Sequence, residues 1–197
     1  MKWPLFVAAA LLALVADASL MPGFEVAGVS PRLLVILVAF VAIHADGPRV
    51  TWAALLAGGL MDLSEPSMTG PRAPFFLIGP HALGLVFGVQ AVLGLRGVIV
   101  RRNPLAIGAM CLVLSLAGGL VWVGWWTLRA WYPDSPPPWS DGSSLWQLWH
   151  QCLQAIATGV VGVPVGWCLL RSTQFWGFPT LLGRGRTQGG TARMMRQ

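Results

Sequence analysis

The sequence predicts an all-α integral membrane protein, a bundle of about six transmembrane helices. Of its 197 residues, 55% are hydrophobic and only 10% are charged, whereas a soluble domain carries roughly 25% charged residues. The hydrophobic residues form continuous runs, not the alternating pattern of transmembrane β-strands. Such a chain does not cover its own surface in water. This excludes a cytosolic enzyme, a secreted disulfide scaffold and a disordered tail protein.

Six apolar runs are the predicted helices. They cover residues 3–20, 33–45, 50–63, 75–95, 105–126 and 145–170. The second and third are shorter than the ~20 residues that cross a bilayer core, and residues 46–49 between them, Asp-Gly-Pro-Arg, have the composition of a tight turn. We expect a short helical hairpin whose helices are extended by flanking residues, sit in a locally thinned bilayer, or lie partly inside the protein.

The first run has two interpretations. An apolar stretch behind Lys2, followed by the small residues Ala16 and Ala18, matches a cleaved signal peptide. Asp17 between the two alanines, together with a nearly spanning length, favours a helix that is retained. We expect an uncleaved first helix.

The charge distribution predicts the orientation. The net charge is +6, and lysine and arginine concentrate on the cytoplasmic side of membrane proteins. With six spans, both termini share one side, and that side receives most of the basic residues while the other receives most of the acids. We therefore expect both termini in the cytoplasm, residues 1–171 as the polytopic membrane domain, and residues 172–197 as a basic, disordered tail.

Few side chains in the predicted spans carry chemistry, and an ionisable residue there is a functional candidate because its burial is costly. Asp62 ends the third run and either orients the following loop or makes a contact, with Arg32 and Arg72 as candidate partners on the same side. His81 follows Pro80, which we expect to kink the fourth helix. The ring of His81 then either bonds the carbonyl that the kink frees or acts as a ligand or proton relay.

The sequence lacks the motifs of an enzyme. It contains no Gly-x-Ser-x-Gly, no His-Glu-x-x-His and no phosphate-binding loop, and Lys2 is its only lysine. The histidines and the three cysteines have no metal-ligand or disulfide spacing. We expect no catalytic residue, metal or cofactor, and the absence of a DNA- or RNA-binding motif argues against a nucleic-acid partner.

Small residues in the spans let helices approach closely. They are Gly84 and Gly88, Gly162 and Gly166, and the pairs Gly58-Gly59 and Gly118-Gly119. Two explanations stay open, since both need the same residues: the glycines pack the bundle internally, or they form a face that docks a partner's transmembrane helix.

A more specific pattern runs through the second and third spans. Pro31-Arg32 opens the second span, and a turn containing residues 47–50, Gly-Pro-Arg-Val, follows that span. Residues 58–63, Gly-Gly-Leu-Met-Asp-Leu, end the third span before a loop that contains Gly70. In these features the chain resembles the rod shape-determining protein MreD family. That family has a proline near the start of its second span, a short basic turn with Arg-Val, and a Gly-Leu-x-x-Asp-Leu segment followed by a Gly-containing loop.

The resemblance implies a non-enzymatic component of the bacterial cell-elongation machinery in the cytoplasmic (inner) membrane. Such a protein would bind the single-span periplasmic protein MreC in the lipid bilayer, and help to couple MreB filaments to the peptidoglycan synthases. It also implies that Pro31, Arg32, Gly58, Gly59 and Asp62 shape the hairpin of the second and third spans.

A second hypothesis is that the chain is a substrate-binding subunit of an energy-coupling-factor importer for a vitamin or metal ion. These subunits are also small six-span bundles without catalytic motifs, and they need an outward-facing pocket with convergent polar groups. The side chains available for such a pocket are Asp62, Glu65, His81, Gln90 and Arg129.

Overall fold

The computed structural model of this chain describes residues 1–26, 28–64, 77–97, 103–131, 139 and 143–178. Within these ranges the protein is all-helical. Its α-helices are α1 Trp3–Ser19, α2 Leu33–His44, α3 Gly47–Ser64, α4 Pro80–Leu95, α5 Pro104–Arg129 and α6 Ser144–Arg171. Two 3₁₀ turns, Met21–Phe24 and Thr173–Phe175, follow α1 and α6. Each predicted run overlaps one of these helices, so the predicted all-helical class is confirmed for the described residues.

The hairpin of α2 and α3 differs from its prediction at the turn. α3 begins at Gly47 and has Pro48 in its first turn, a position that suits proline because the first N–H groups of a helix have no intrahelical acceptor. Only Ala45 and Asp46 connect the two helices, so the predicted turn at residues 46–49 is wrong. α3 reaches 18 residues, whereas α2 remains at 12.

α2 is the central helix of the fold. Every residue from Leu34 to Ile43 is buried, and α2 packs against α1, α3, α4, α5 and α6. A helix that is apolar on all sides is one that other elements surround. The short length of α2 is therefore explained by its position inside the protein.

Glycines allow α4 and α5 to pack backbone against backbone. A Cβ atom at Gly84 would lie 2.8 Å from the carbonyl oxygen of Gly118, and one at Gly88 would lie 2.7 Å from the carbonyl oxygen of Leu114. Any larger residue would force these helices apart.

Glycines on α6 also pack closely against side chains of α5. A Cβ atom at Gly162 would lie 3.0 Å from Cys111 Sγ, and one at Gly166 would lie 2.8 Å from Ile107 Cγ2. Both Gly-x-x-x-Gly pairs thus lie at contacts inside the bundle. This agrees with the first of the two explanations, in which these glycines pack the bundle internally.

The two ends of the described chain lie together. The amino group of Met1 donates to the carbonyl oxygen of Gly177 at 2.9 Å. Trp176 is buried, and its ring centroid lies 5.3 Å from that of Phe40 on α2. Residues 172–178 thus pack on the bundle, unlike the disordered tail predicted to begin there, and the rest of that tail lies outside the described residues.

Two helices are long and apolar enough to cross a membrane. They are α5, with 26 residues, and α6, with 28. At 1.5 Å per residue these extend about 39 and 42 Å, against a hydrocarbon core of about 30 Å. α1, α2 and α4 are apolar but shorter.

Replacing Gly84 by alanine tests the close packing of α4 on α5. We expect Gly84→Ala to lower the free energy of unfolding by about 1–3 kcal/mol, because the added methyl overpacks the contact. The matched control is Gly94→Ala on the same helix, where no described atom lies within 4 Å of an added Cβ. This control should be neutral or stabilise by up to ~1 kcal/mol, through helix propensity. Thermal unfolding of the purified proteins in detergent measures both, and equal effects would refute the packing argument.

Candidate functional site

The carboxylate of Asp62 links the end of α3 to the start of α4. Asp62 is 3% exposed. Its Oδ2 accepts from the backbone N–H of Gly79 at 2.7 Å and of Ala82 at 3.2 Å. Its Oδ1 accepts from the backbone N–H of His81 at 3.0 Å and lies 2.8 Å from His81 Nδ1. Because both oxygens already accept backbone protons, we infer that His81 Nδ1 carries the proton of this fourth bond.

This arrangement is a helix cap supplied by another helix. The first N–H groups of a helix have no partner within it, and a negative charge there is favourable with respect to the helix dipole. Gly79 occupies the N-cap position of α4 and has no side chain to provide such a cap. Its φ of 142° is one that glycine adopts freely. Asp62 fills that role from the neighbouring helix.

Two expectations for this region change. Pro80 opens α4 at its first position and does not kink a longer helix, so the predicted kink at Pro80 is wrong. His81 bonds Asp62 and not a carbonyl freed by a kink. The partners of Asp62 are at the start of α4, whereas Arg32 donates its backbone N–H to Thr158 Oγ1 at 3.2 Å.

Asp17 makes an equivalent cap that the sequence analysis did not identify. It lies near the end of α1 and accepts from the backbone N–H of Leu33 at 2.7 Å and of Leu34 at 3.1 Å, at the start of α2. The N-cap residue of α2 is Arg32, which provides no side-chain cap. The sequence pattern that could have predicted this cap is an isolated acid near the end of one apolar run, followed by a second run that has no capping residue of its own.

A cavity of about 40 Å³ lies beside His81. Residues at the starts of α2 and α4, the end of α3, and the facing parts of α5 and α6 surround it. Its polar lining consists of Arg32, His81, Ser115, Trp122, Gln151 and Gln154. Volumes of about 10–15 Å³ admit one water molecule, so the cavity has room for about three.

Several of these polar groups have unused hydrogen-bonding capacity. Among the described residues, no hydrogen-bond partner is found for the Ser115 hydroxyl, the Gln151 amide or the Trp122 indole N–H. Gln154 is 9% exposed, and its Nε2 makes one long bond of 3.4 Å to the carbonyl of Ser30. Ser115, Gln151 and Trp122 are half-buried, so water or another small molecule in the cavity can bond them.

The other predicted candidates are distributed around this site. Pro31 is buried immediately before α2. A Cβ atom added at Gly58 would overlap the backbone of Ala82, which places Gly58 at the contact of α3 with α4, whereas an added Cβ at Gly59 meets no described atom within 4 Å. Gly70 lies outside the described residues.

The residues proposed for an importer pocket converge only in part. His81 lines the cavity and Asp62 lies behind it. Gln90 Nε2 instead donates to Thr51 Oγ1 at 3.2 Å. The guanidinium of Arg129 lies 5.7 Å from the ring of Trp126.

The sequence analysis did not identify Gln151 and Gln154, the two glutamines that line the cavity. Both lie in an otherwise ordinary apolar helix.

Replacing the capping carboxylates tests their structural role. We expect Asp62→Ala to lower the free energy of unfolding by about 2 kcal/mol, at the upper end for a helix cap, because four donors lose their acceptor. Asp17→Ala should cost about 1 kcal/mol, because two backbone donors lose theirs. Chemical unfolding in detergent gives both values.

The control for these variants is Glu25→Ala. Glu25 is an exposed acid between α1 and α2, and surface substitutions of this kind usually change stability by less than about 0.5 kcal/mol. A stability loss at Glu25 as large as at Asp62 would show that capping is not the cause of the Asp62 effect.

No protein-family model, curated protein or solved structure matches this chain.

Proposed function

We propose that the protein is a non-enzymatic membrane scaffold of the bacterial cell-elongation machinery. In this proposal it crosses the cytoplasmic membrane six times, with both termini in the cytoplasm, and binds an MreC-like single-span protein through transmembrane helix contacts. MreB filaments and peptidoglycan synthases are its indirect partners. The observation that carries the proposal is that residues 30–70, the segment resembling MreD, supply the central helix α2 and the capping carboxylate Asp62.

The outer surface of the bundle supports a membrane environment. Large apolar side chains are exposed on its helices, including Leu12 at 71%, Val15 at 63%, Phe87 at 59% and Val160 at 65%. Contiguous apolar patches are rare on soluble monomers and mark interaction or membrane surfaces. The contact of Met1 with the chain after α6 agrees with an even number of spans.

α3 offers a face that suits a partner helix. Trp52, Leu56 and Leu63 are exposed by 60%, 46% and 52%, and with Gly59 they follow the spacing of one helix face. Gly59 leaves open space at the centre of this face. Small residues let transmembrane helices approach closely, so we assign this α3 face to the single-span partner.

The positions of the polar side chains weigh against the importer hypothesis. Such a subunit needs polar groups that converge on its pocket. Gln90 Nε2 donates to Thr51 Oγ1 and the Arg129 guanidinium lies beside Trp126, so neither lines the cavity beside His81. This favours a scaffold over a subunit that encloses a vitamin.

Filling the space at Gly59 tests the partner face. Tagged full-length protein purified in mild detergent should retain a single-span periplasmic coiled-coil protein, identified by mass spectrometry. Gly59→Leu should reduce its recovery at least about tenfold, since 1.4 kcal/mol of lost contact is enough for that change.

Gly124→Leu on α5 is the matched control, because Gly124 also has no described atom within 4 Å of an added Cβ. It should retain the partner. Recovery of an ATPase pair with a second polytopic subunit would overturn the scaffold proposal. Equal loss in both variants would refute the assignment of the α3 face.

A further inference from the structure

One end of the bundle combines several basic side chains with a single described acid. The starts of α1, α3 and α5 and the ends of α2, α4 and α6 form this end. Its described basic residues are Lys2, Arg49, Arg96 and Arg171, and its only described acid is Asp46. In the sequence, residues 96–103 and 171–197 contain further arginines and no aspartate or glutamate. We call this surface the basic end.

Contacts between different elements bring these basic residues to the same end. The backbone N–H of Lys2 donates to the carbonyl oxygen of Trp176, after α6, at 3.0 Å. Arg96 Nη1 donates to the carbonyl oxygen of Ala45, between α2 and α3, at 2.8 Å. Arg49 follows that connection in the first turn of α3. The side chains of Lys2 and Arg49 are exposed there.

The opposite end of the bundle has no such excess of positive charge. Its described charged residues are of both signs: Asp17, Glu25 and Asp62, with Arg32 and Arg129. Two of these acids cap α2 and α4. The charge asymmetry that the sequence suggests is therefore present between the two ends of the folded bundle.

Arg171 shows the depth at which the basic end would lie in a bilayer. α6 is 28 residues long and extends about 42 Å, so its ends pass beyond a hydrocarbon core of about 30 Å. The Arg171 guanidinium lies 3.7 Å from the ring centroid of Trp167, an indole that is 47% exposed. Tryptophan rings and the charged tips of long basic side chains occupy the headgroup layer. Guanidinium groups also bind phosphate oxygens through paired hydrogen bonds.

We propose that the basic end binds the headgroups of anionic phospholipids. A lipid is favoured over an acidic protein segment because the Arg171–Trp167 pair lies at headgroup depth. The inference rests on the membrane location in the proposed function and not on the scaffold role, so failure to recover a single-span partner would leave it intact.

The test offers the full-length protein, in mild detergent, equal amounts of phosphatidylglycerol and phosphatidylcholine with the same acyl chains. Native mass spectrometry counts the lipids that each protein retains. The wild type should retain phosphatidylglycerol in preference to phosphatidylcholine. Replacing Lys2, Arg49 and Arg171 together by glutamine should lower this preference at least about tenfold, since each basic residue near an anionic surface contributes about fivefold, or about 1 kcal/mol.

The matched control keeps the charges and changes the same three side chains. Lys2→Arg, Arg49→Lys and Arg171→Lys in one protein should preserve the preference, and thermal unfolding should show that both triple variants are folded. High salt should also weaken the preference of the wild type, because the Debye length falls to about 3 Å at 1 M.

Three results would overturn the proposal. The first is an unchanged preference in the glutamine variant. The second is equal retention of the two lipids by the wild type together with binding of polyglutamate, which would assign the basic end to an acidic protein segment. The third is retention of neither lipid, which would also contradict the membrane location.

Discussion

Two carboxylates cap the starts of the helices α2 and α4 from neighbouring helices. Helices α5 and α6 carry their own caps, Asn103 and Ser143. The N-cap positions of α2 and α4 hold Arg32 and Gly79, which provide none. In an apolar interior the unpaired N–H groups of these two helices would be costly. Asp17 and Asp62 remove that cost from the end of the preceding helix.

The remaining geometry follows from these caps. Asp62 fixes the first turn of α4, and one turn later Gly84 meets Gly118 of α5. The same first turn places His81 on the wall of the polar cavity. Asp17 fixes the start of α2, whose following residues are buried on every side. An apolar chain with few charges thus uses two of its acids to set helix positions.

Hydrophobic runs were sufficient to predict the all-helical fold class and the order of the helices. Such a run is visible in the sequence without knowing which other elements pack against it. Local signals failed where a contact between helices decides the outcome. Gly47-Pro48 has the composition of a turn, yet it starts α3. Pro80 suggested a kink because the apolar run continues before it, whereas the helix starts there.

The candidate site was predicted only in part, for the same reason. Asp62 and His81 were identified because ionisable residues are rare in such runs, but their pairing depends on a contact across 19 residues of sequence. Nothing in the sequence marks Gln151 and Gln154 as site residues, because isolated glutamines are common in helices. Gly59 and Gly58 look alike in sequence, and only the packing of α4 shows that Gly58 is enclosed while Gly59 faces open space.

The account depends most directly on the bond between Asp62 and His81. Nitrogen-15 NMR of histidine-labelled protein in detergent reports which ring nitrogen carries the proton, and the His81→Gln variant assigns the signal. The account predicts that Nδ1 of His81 is protonated and that this signature is lost in Asp62→Ala. An unprotonated Nδ1 in the wild-type protein, or a spectrum that Asp62→Ala leaves unchanged, would contradict it.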